Sequence, residues 1–153
     1  MAAIATPPPG LHLRLARIDD AAAVARLIEV LGYPCDEAEA MQRMQIINRN
    51  PRQALVVAEL GERVVGLVGV DLMFYLPIGR ETCRITALVV DPEVQNRRIG
   101  HALLRYAEAI ARQDGAARVE LTAASQRAAA HRFYRSCGYT EQSLRFVKNL
   151  SDA

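Results

Sequence analysis

The stretch ITALVVDPEVQNRRIGHALL, Ile85–Leu104, decides how the rest of this chain is read. An apolar run ends at Asp91-Pro92, where proline cannot continue a strand ladder. A polar loop with Gln95, Asn96, Arg97 and Arg98 follows. Gly100 then opens a helix whose Ile99, Ala102, Leu103, Tyr106, Ala107 and Ile110 share one face. The first turn of a helix carries N–H groups without intrahelical acceptors and a partial positive charge. Gly100 lets the backbone approach a ligand closely, and Arg97 and Arg98 add full charges. Together these suit a pyrophosphate on the amides from Arg97 to Ala102. The same loop, taken alone, also reads as the solvated, arginine-rich start of a surface helix.

Working outward, Leu11–Ile18 alternates as a strand, and Asp19-Asp20 can cap a helix carrying Val24, Leu27, Ile28 and Leu31. A second helix is expected from Glu37 to Ile47. Strands follow at Ala54–Leu60, Val64–Phe74 and Thr82–Val90, the first two joined by a tight turn at Gly61–Arg63. After the Ile99 helix come a short strand at Arg118–Ala123, a helix from about Gln126 to Cys137 closed by Gly138, and two last strands in YTEQ and LRFVKNL. The expected fold is α/β: a central, mostly antiparallel mixed sheet with helices on both faces. Residues 1–10, with three prolines, read as a flexible lead, and 11–150 as a single domain.

The chain has 153 residues and a net charge of +2, enough for one real core and too little charge to indicate nucleic acid. Apolar runs stay short of a membrane span, and the first residues lack the pattern of a secretory signal. Cys35, Cys83 and Cys137 match no metal or redox spacing, so free thiols in a reducing cytoplasm are expected. His12, His101 and His131 are scattered, and no metal is expected. There is no G-x-x-x-x-G-K-[ST] and no G-x-G-x-x-G, which argues against a nucleotide triphosphatase or a dinucleotide fold.

The segment VVDPEVQNRRIGHALL resembles the central motif of the GNAT superfamily of acetyl-CoA-dependent N-acetyltransferases: a strand, a polar turn, then [QR]-x-x-G-x-[GA] opening a helix. Gln95, Gly100 and Ala102-Leu103-Leu104 match; Arg98 stands where the family usually has its first glycine. AAAHRFYRSCGY, Ala128–Tyr139, resembles the family's A-x-x-FY-x-x-x-G-[FY] segment. The resemblance covers about Leu11 to Leu150. It implies a sheet splayed between the strand ending at Val90 and the one starting near Arg118. Acetyl-CoA would lie there as co-substrate, its pantetheine arm along Leu88, Val89 and Val90 and its pyrophosphate near Gln95, Arg97, Arg98, Ile99, Gly100, His101 and Ala102. Arg98 is accommodated on the expectation of a negative φ and an outward side chain.

The implied reaction is direct attack of a primary amine on the thioester. An alkyl amine has a pKa near ~10.4, so neutralising it at pH 7 costs ~4 kcal/mol, and the leaving thiolate, pKa ~8.5, gains from an acid. The resemblance makes Tyr134 that general acid; by spacing alone it is a core tyrosine beside Phe133. Candidate bases are Glu81, Glu120 and Asp71, each also readable as a structural carboxylate, and a water relay is an alternative. Where relatives carry a glutamate on the strand entering the cleft, this chain has Arg84. Ala124 cannot reproduce an asparagine contact that some relatives make. The acceptor is expected to be a small-molecule or peptide amine, with acidic Asp36 and Glu37 and the aromatics near Phe74 as candidate pocket walls. Neither nucleic acid nor membrane is expected as a partner, and a homodimer is left open. Arg84, Ala124 and the unassigned base keep a second reading alive, a non-catalytic acyl-CoA-binding sensor of the same fold. A basic recognition helix in QNRRIGHALLRYAEAIARQ is a third, opposed by its wide apolar stripe and Glu108.

Overall fold

Alternating apolar residues and glycine turns make residues 53–90 a β-meander. The computed structural model describes residues 8–95, 97–123 and 128–151. Strands β1 (Leu11–Leu15), β2 (Gln53–Leu60), β3 (Arg63–Tyr75), β4 (Arg80–Val90) and β5 (Arg118–Glu120) form one sheet in the order β1-β2-β3-β4-β5. The first three pairings are antiparallel and β4–β5 is parallel, so the sheet is mixed and mostly antiparallel. Helices α1 (Ala21–Leu31) and α2 (Glu37–Asn48) lie between β1 and β2, and α3 (Ile99–Asp114) between β4 and β5. Helix α4 (Ala128–Ser136) follows β5. The chain divides into two compact units, the first ending at Leu121 and the second starting at Thr122. Among the described residues, no helix is long and apolar enough to cross a membrane.

The first unit has a core on each face of its sheet. Leu55, Val57, Leu67 and Val89 join Val24, Leu27, Ala40 and Met44 of α1 and α2 in one buried cluster. The alternate residues face α3: a Cβ at Gly66 would meet Leu103 Cδ1 at 3.0 Å, Val89 O at 3.1 Å and Ile99 Cγ2 at 3.5 Å. Glycine at 66 therefore sets how closely the start of α3 lies on β3. Helix ends follow their local chemistry. Asp36 caps α2 by accepting from the Glu39 N–H at 2.8 Å, while the Glu39 side chain accepts from the Asp36 N–H at 3.3 Å. Gly32 ends α1 at φ 110 and Gly115 ends α3 at φ 80.

Several expected boundaries move. The first strand stops at Leu15, not Ile18, and Ile18–Asp20 is a 3₁₀ turn. The reason is Asp20: its buried carboxylate accepts from the Arg17 N–H at 2.7 Å and from Arg14 at 2.8 and 2.9 Å. Asp20 stands at the N-cap of α1, as expected, but its side chain makes no cap hydrogen bond there and instead folds the chain back. The fifth strand stops at Glu120, short of Ala123. YTEQ and LRFVKNL are not strands: residues 139–151 form no ladder, and Leu144, Phe146 and Leu150 are 78%, 90% and 93% exposed. Alternation gives a segment only a preference, and a strand persists only when a partner takes up its N–H and C=O groups. Most of the lead at 1–10, Ala124 and the expected helix start at Gln126 lie outside the described residues.

Candidate active site

The loop after β4 begins at a buried carboxylate. The Asp91 N–H donates to Val65 O at 2.7 Å, and its side chain accepts from the Glu93 N–H at 3.0 Å and from Arg63 Nη2 at 2.9 Å. Arg26 of α1 stands 4.0 Å from the same oxygen and donates to Val64 O at 2.9 Å. Pro92–Val94 make a single 3₁₀ turn, and Gln95, Arg97 and Arg98 are exposed. The loop is therefore clamped at its root to the first residues of β3, while its far end presents charge to solvent.

Arg98, the N-cap of α3, has φ 61 and ψ 21. It is the one non-glycine residue with positive φ among the described residues. The expected negative φ is therefore wrong at this position. The backbone takes the left-handed conformation that a glycine enters freely, and arginine holds it at a cost of about 1 kcal/mol. The Ala102 N–H is also corrected, since it donates to Arg98 O at 3.1 Å and is not open to a ligand. The amides of Ile99, Gly100 and His101 precede it and find no acceptor among the described residues. The Ile99 side chain is buried in the core, so only its backbone faces outward chemistry. His101 is held below its ordinary pKa by partial burial and then by the charges of Arg105 and Arg98, which favours the neutral imidazole.

Among the described residues, the strand leading into this loop is open along one edge. Leu88, Val89 and Val90 pair with Val68, Leu67 and Gly66 of β3. On the other side β5 pairs only Arg118, Val119 and Glu120, with Thr82, Cys83 and Arg84. The ladder also skips Thr86, because Gly69 pairs with Ala87 and Val70 with Ile85. This bulge turns the last residues of β4, and it requires a glycine opposite: a Cβ at position 69 would stand 2.7 Å from Thr86 Oγ1. The free edge from Thr86 to Val90 and the open amides of α3 fit an extended chain ending in a pyrophosphate, as acetyl-CoA is. Among the described residues, no group of three or more His, Cys, Asp and Glu side chains could hold a metal.

The three candidate bases have different surroundings. Glu81 is 2.7 Å from Arg52 Nη2, and Arg52 also reaches both oxygens of Asp114 at 3.0 Å and Leu72 O at 3.1 Å. Glu120 accepts from Arg84 Nε and Nη2 at 3.0 and 2.8 Å and from Arg118 at 3.3 Å. Asp71, in register with Arg84 across β3 and β4, has no hydrogen bond or ion pair among the described residues. Cys83 is fully buried, and burial pushes its thiol up to about 11, so it is no nucleophile. The Cys35 thiol is likewise raised by burial.

In the second unit, Tyr134 lies half-buried on α4, edge-on to Phe133 at 5.3 Å and to Tyr139 at 6.2 Å between ring centroids. Gly138 follows the helix at φ 95, and the Tyr139 N–H returns to Tyr134 O at 3.0 Å. This fixes the backbone around Tyr134 at the closing turn.

Sequence reasoning missed the Asp91 clamp, the Arg52 hub, the Thr86 bulge and the left-handed Arg98. The family's glycine at position 98 was itself the signal for the last. The Arg52–Asp114 pair, far apart in sequence, leaves no local trace.

Comparison with known proteins gives a consistent picture. The family model described as Acetyltransferase (GNAT) family matches residues 21–139. The aminoalkylphosphonate N-acetyltransferase of Salmonella typhimurium is 34% identical over 143 residues, covering 93% of both chains. Among solved structures, a transcriptional regulator from Bacillus halodurans superposes with a TM-score of 0.81 at 21% identity, covering 90% of this chain and 99% of that one. The glucosamine-6-phosphate N-acetyltransferase of Arabidopsis thaliana gives 0.79 at 18% identity, covering 92% and 99%.

Proposed function

The chain belongs to the GNAT family of acetyl-CoA-dependent N-acetyltransferases, and on that premise we propose that it acetylates the primary amine of a small molecule carrying an acidic group, with Tyr134 as general acid. The observation that carries the acceptor class is the 34% identity, over nearly the whole of both chains, to a protein named for aminoalkylphosphonates. The family match runs from residue 21 to 139, past the start of the second unit at Thr122.

In this reading the neutral amine attacks the thioester carbonyl, the new C–N bond forms and the C–S bond breaks. The nitrogen's surplus proton leaves to water or to a carboxylate. Tyr134 supplies a proton to the departing sulfur and regains one from solvent. Backbone N–H groups of Ile99, Gly100 and His101 hold the pyrophosphate, and the open edge of β4 orients the arm that carries the acetyl group. Of the three candidate bases, Asp71 is favoured, because ion pairs already engage Glu81 and Glu120.

The test is acetyl transfer measured against a panel of amines that includes 2-aminoethylphosphonate, polyamines, aminoglycosides and peptide N-termini. Tyr134→Phe should keep acetyl-CoA affinity and lower kcat by about 10²–10⁴-fold on the best acceptor. Unchanged kcat, with chemistry rate-limiting, returns Tyr134 to packing. Acetyl-CoA binding without transfer to any amine would favour the sensor reading.

A further inference from the structure

One row of side chains crosses four strands on the face that α1 and α2 cover elsewhere. Gln53, Asp71, Arg84 and Glu120 are successive register partners on β2, β3, β4 and β5. Directly opposed residues share a face, and neighbouring strands stand about 4.8 Å apart. Asp71 follows Leu67 and Gly69 on the α1 and α2 side, beyond the buried cluster. The row also lies immediately before the bulge at Thr86, where β4 loses its second partner.

The charges of this row are not mutually satisfied. Arg84 turns to Glu120 and not to Asp71, and Arg118 shares the same carboxylate. Two guanidiniums thus meet one carboxylate, which leaves a positive surplus around β4 and β5. Arg118 is fixed further by lying over the Tyr75 ring at 4.8 Å. Asp71, one strand away, has no hydrogen bond or ion pair among the described residues. On the same face, two residues before Arg84, the Thr82 hydroxyl is fully buried and has no hydrogen-bond partner among the described residues.

We infer that this row is the acceptor seat, and that it selects a short zwitterion: Asp71 takes the ammonium and the Arg84–Arg118 pair takes the anionic end. The inference rests on the proposed acetyl transfer but names residues and a charge pattern that the family membership does not supply. Both arginines keep N–H donors beyond those given to Glu120, since each guanidinium has five. A tetrahedral or planar anion can add to the pair without breaking it. Asp71, close to the attacking nitrogen, can then receive its proton.

The experiment uses the full chain and two probes, 2-aminoethylphosphonate and propylamine, which lacks the acid. Binding is measured by calorimetry with CoA present, and transfer by steady-state kinetics. Arg84→Gln and Arg118→Gln should each weaken 2-aminoethylphosphonate about tenfold while changing propylamine little. Asp71→Asn should weaken both amines. Glu120→Gln, which releases the two arginines, should tighten the phosphonate; a merely structural role for the row would not move affinity in that direction. Unchanged acetyl-CoA affinity and melting temperature show that each variant is folded. Equal effects of the arginine variants on both probes overturn the inference, as does wild-type protein that fails to bind 2-aminoethylphosphonate at millimolar concentration. Wild-type protein that binds it in an Asp71- and Arg84-dependent way without acetylating it upholds the seat and refutes the proposed transfer.

Discussion

The loop from Asp91 to His101 and the row from Gln53 to Glu120 sit on one sheet but are made of different material. The loop offers backbone: amides and a strand edge that find no partner among the described residues, and a root clamped by Arg63 and Arg26. The row offers side chains, whose charges depend on which partner each has found. A site made of backbone tolerates changes of side chain but not of volume or dihedral angle. A site made of side chains tolerates small shifts of backbone but no change of charge.

The largest effect expected from that contrast is at Gly100. Gly100→Val adds a branched side chain beside the open amides, and acetyl-CoA affinity should fall about 100-fold, the scale of a close overpacking contact. Equilibrium titration with acetyl-CoA checks this, and a change below threefold would mean the backbone is not approached there. Gly66→Ala comes next. Its methyl would press on Leu103 and on the Val89 carbonyl, so stability should drop by about 1–2 kcal/mol in denaturant unfolding.

Arg98 sharpens the comparison because it belongs to both kinds of site. Arg98→Gly should raise stability by about 1 kcal/mol, since only the left-handed strain is removed. Arg98→Ala keeps most of that strain and loses the charge, so acetyl-CoA should bind a few-fold more weakly at low salt and nearly normally at high salt. If the glycine variant binds more tightly than wild type, the arginine obstructs the loop.

The smallest effect expected lies outside both regions. The hydrogen bonds from Arg14 hold Asp20 below the ordinary aspartate range, with the Arg17 N–H adding to them and burial opposing. A depressed carboxylate pKa gives stability that is fully present above the unfolded value, ~3.9, and is lost as pH falls through the folded value. Asp20→Asn should therefore be less stable at neutral pH, and the difference from wild type should shrink below about pH 4. A gap that stays constant down to pH 2 would show that Asp20 acts by shape and not by charge.

How much of this could be read from the chain follows the same division. The meander, α3 and the loop were legible because each is encoded locally, by alternation, by helical spacing, and by Asp-Pro and Gly100. The row was legible only as separate letters: Asp71, Arg84 and Glu120 were candidates or departures one at a time, and register alone makes them neighbours. The conformation of Arg98 ran against the residue's own preference, so propensity pointed the wrong way. LRFVKNL shows the converse, a clear alternation with no strand partner among the described residues.

The three-residue ladder between β4 and β5 has a consequence for how amides exchange with solvent. Hydrogens on Thr82, Cys83 and Arg84 are shielded by strands on both sides, whereas the stretch from Thr86 to Val90 is shielded on one. In deuterated buffer, N–H groups of that stretch that point away from β3 should therefore exchange early in the free protein. In the proposed placement an acyl-CoA arm laid along the edge would act as a sixth strand for as long as it stays, so protection there should rise and fall with its occupancy. Isotope uptake at these few backbone positions thus becomes a residence clock for the co-substrate, readable without any turnover and without knowing the amine.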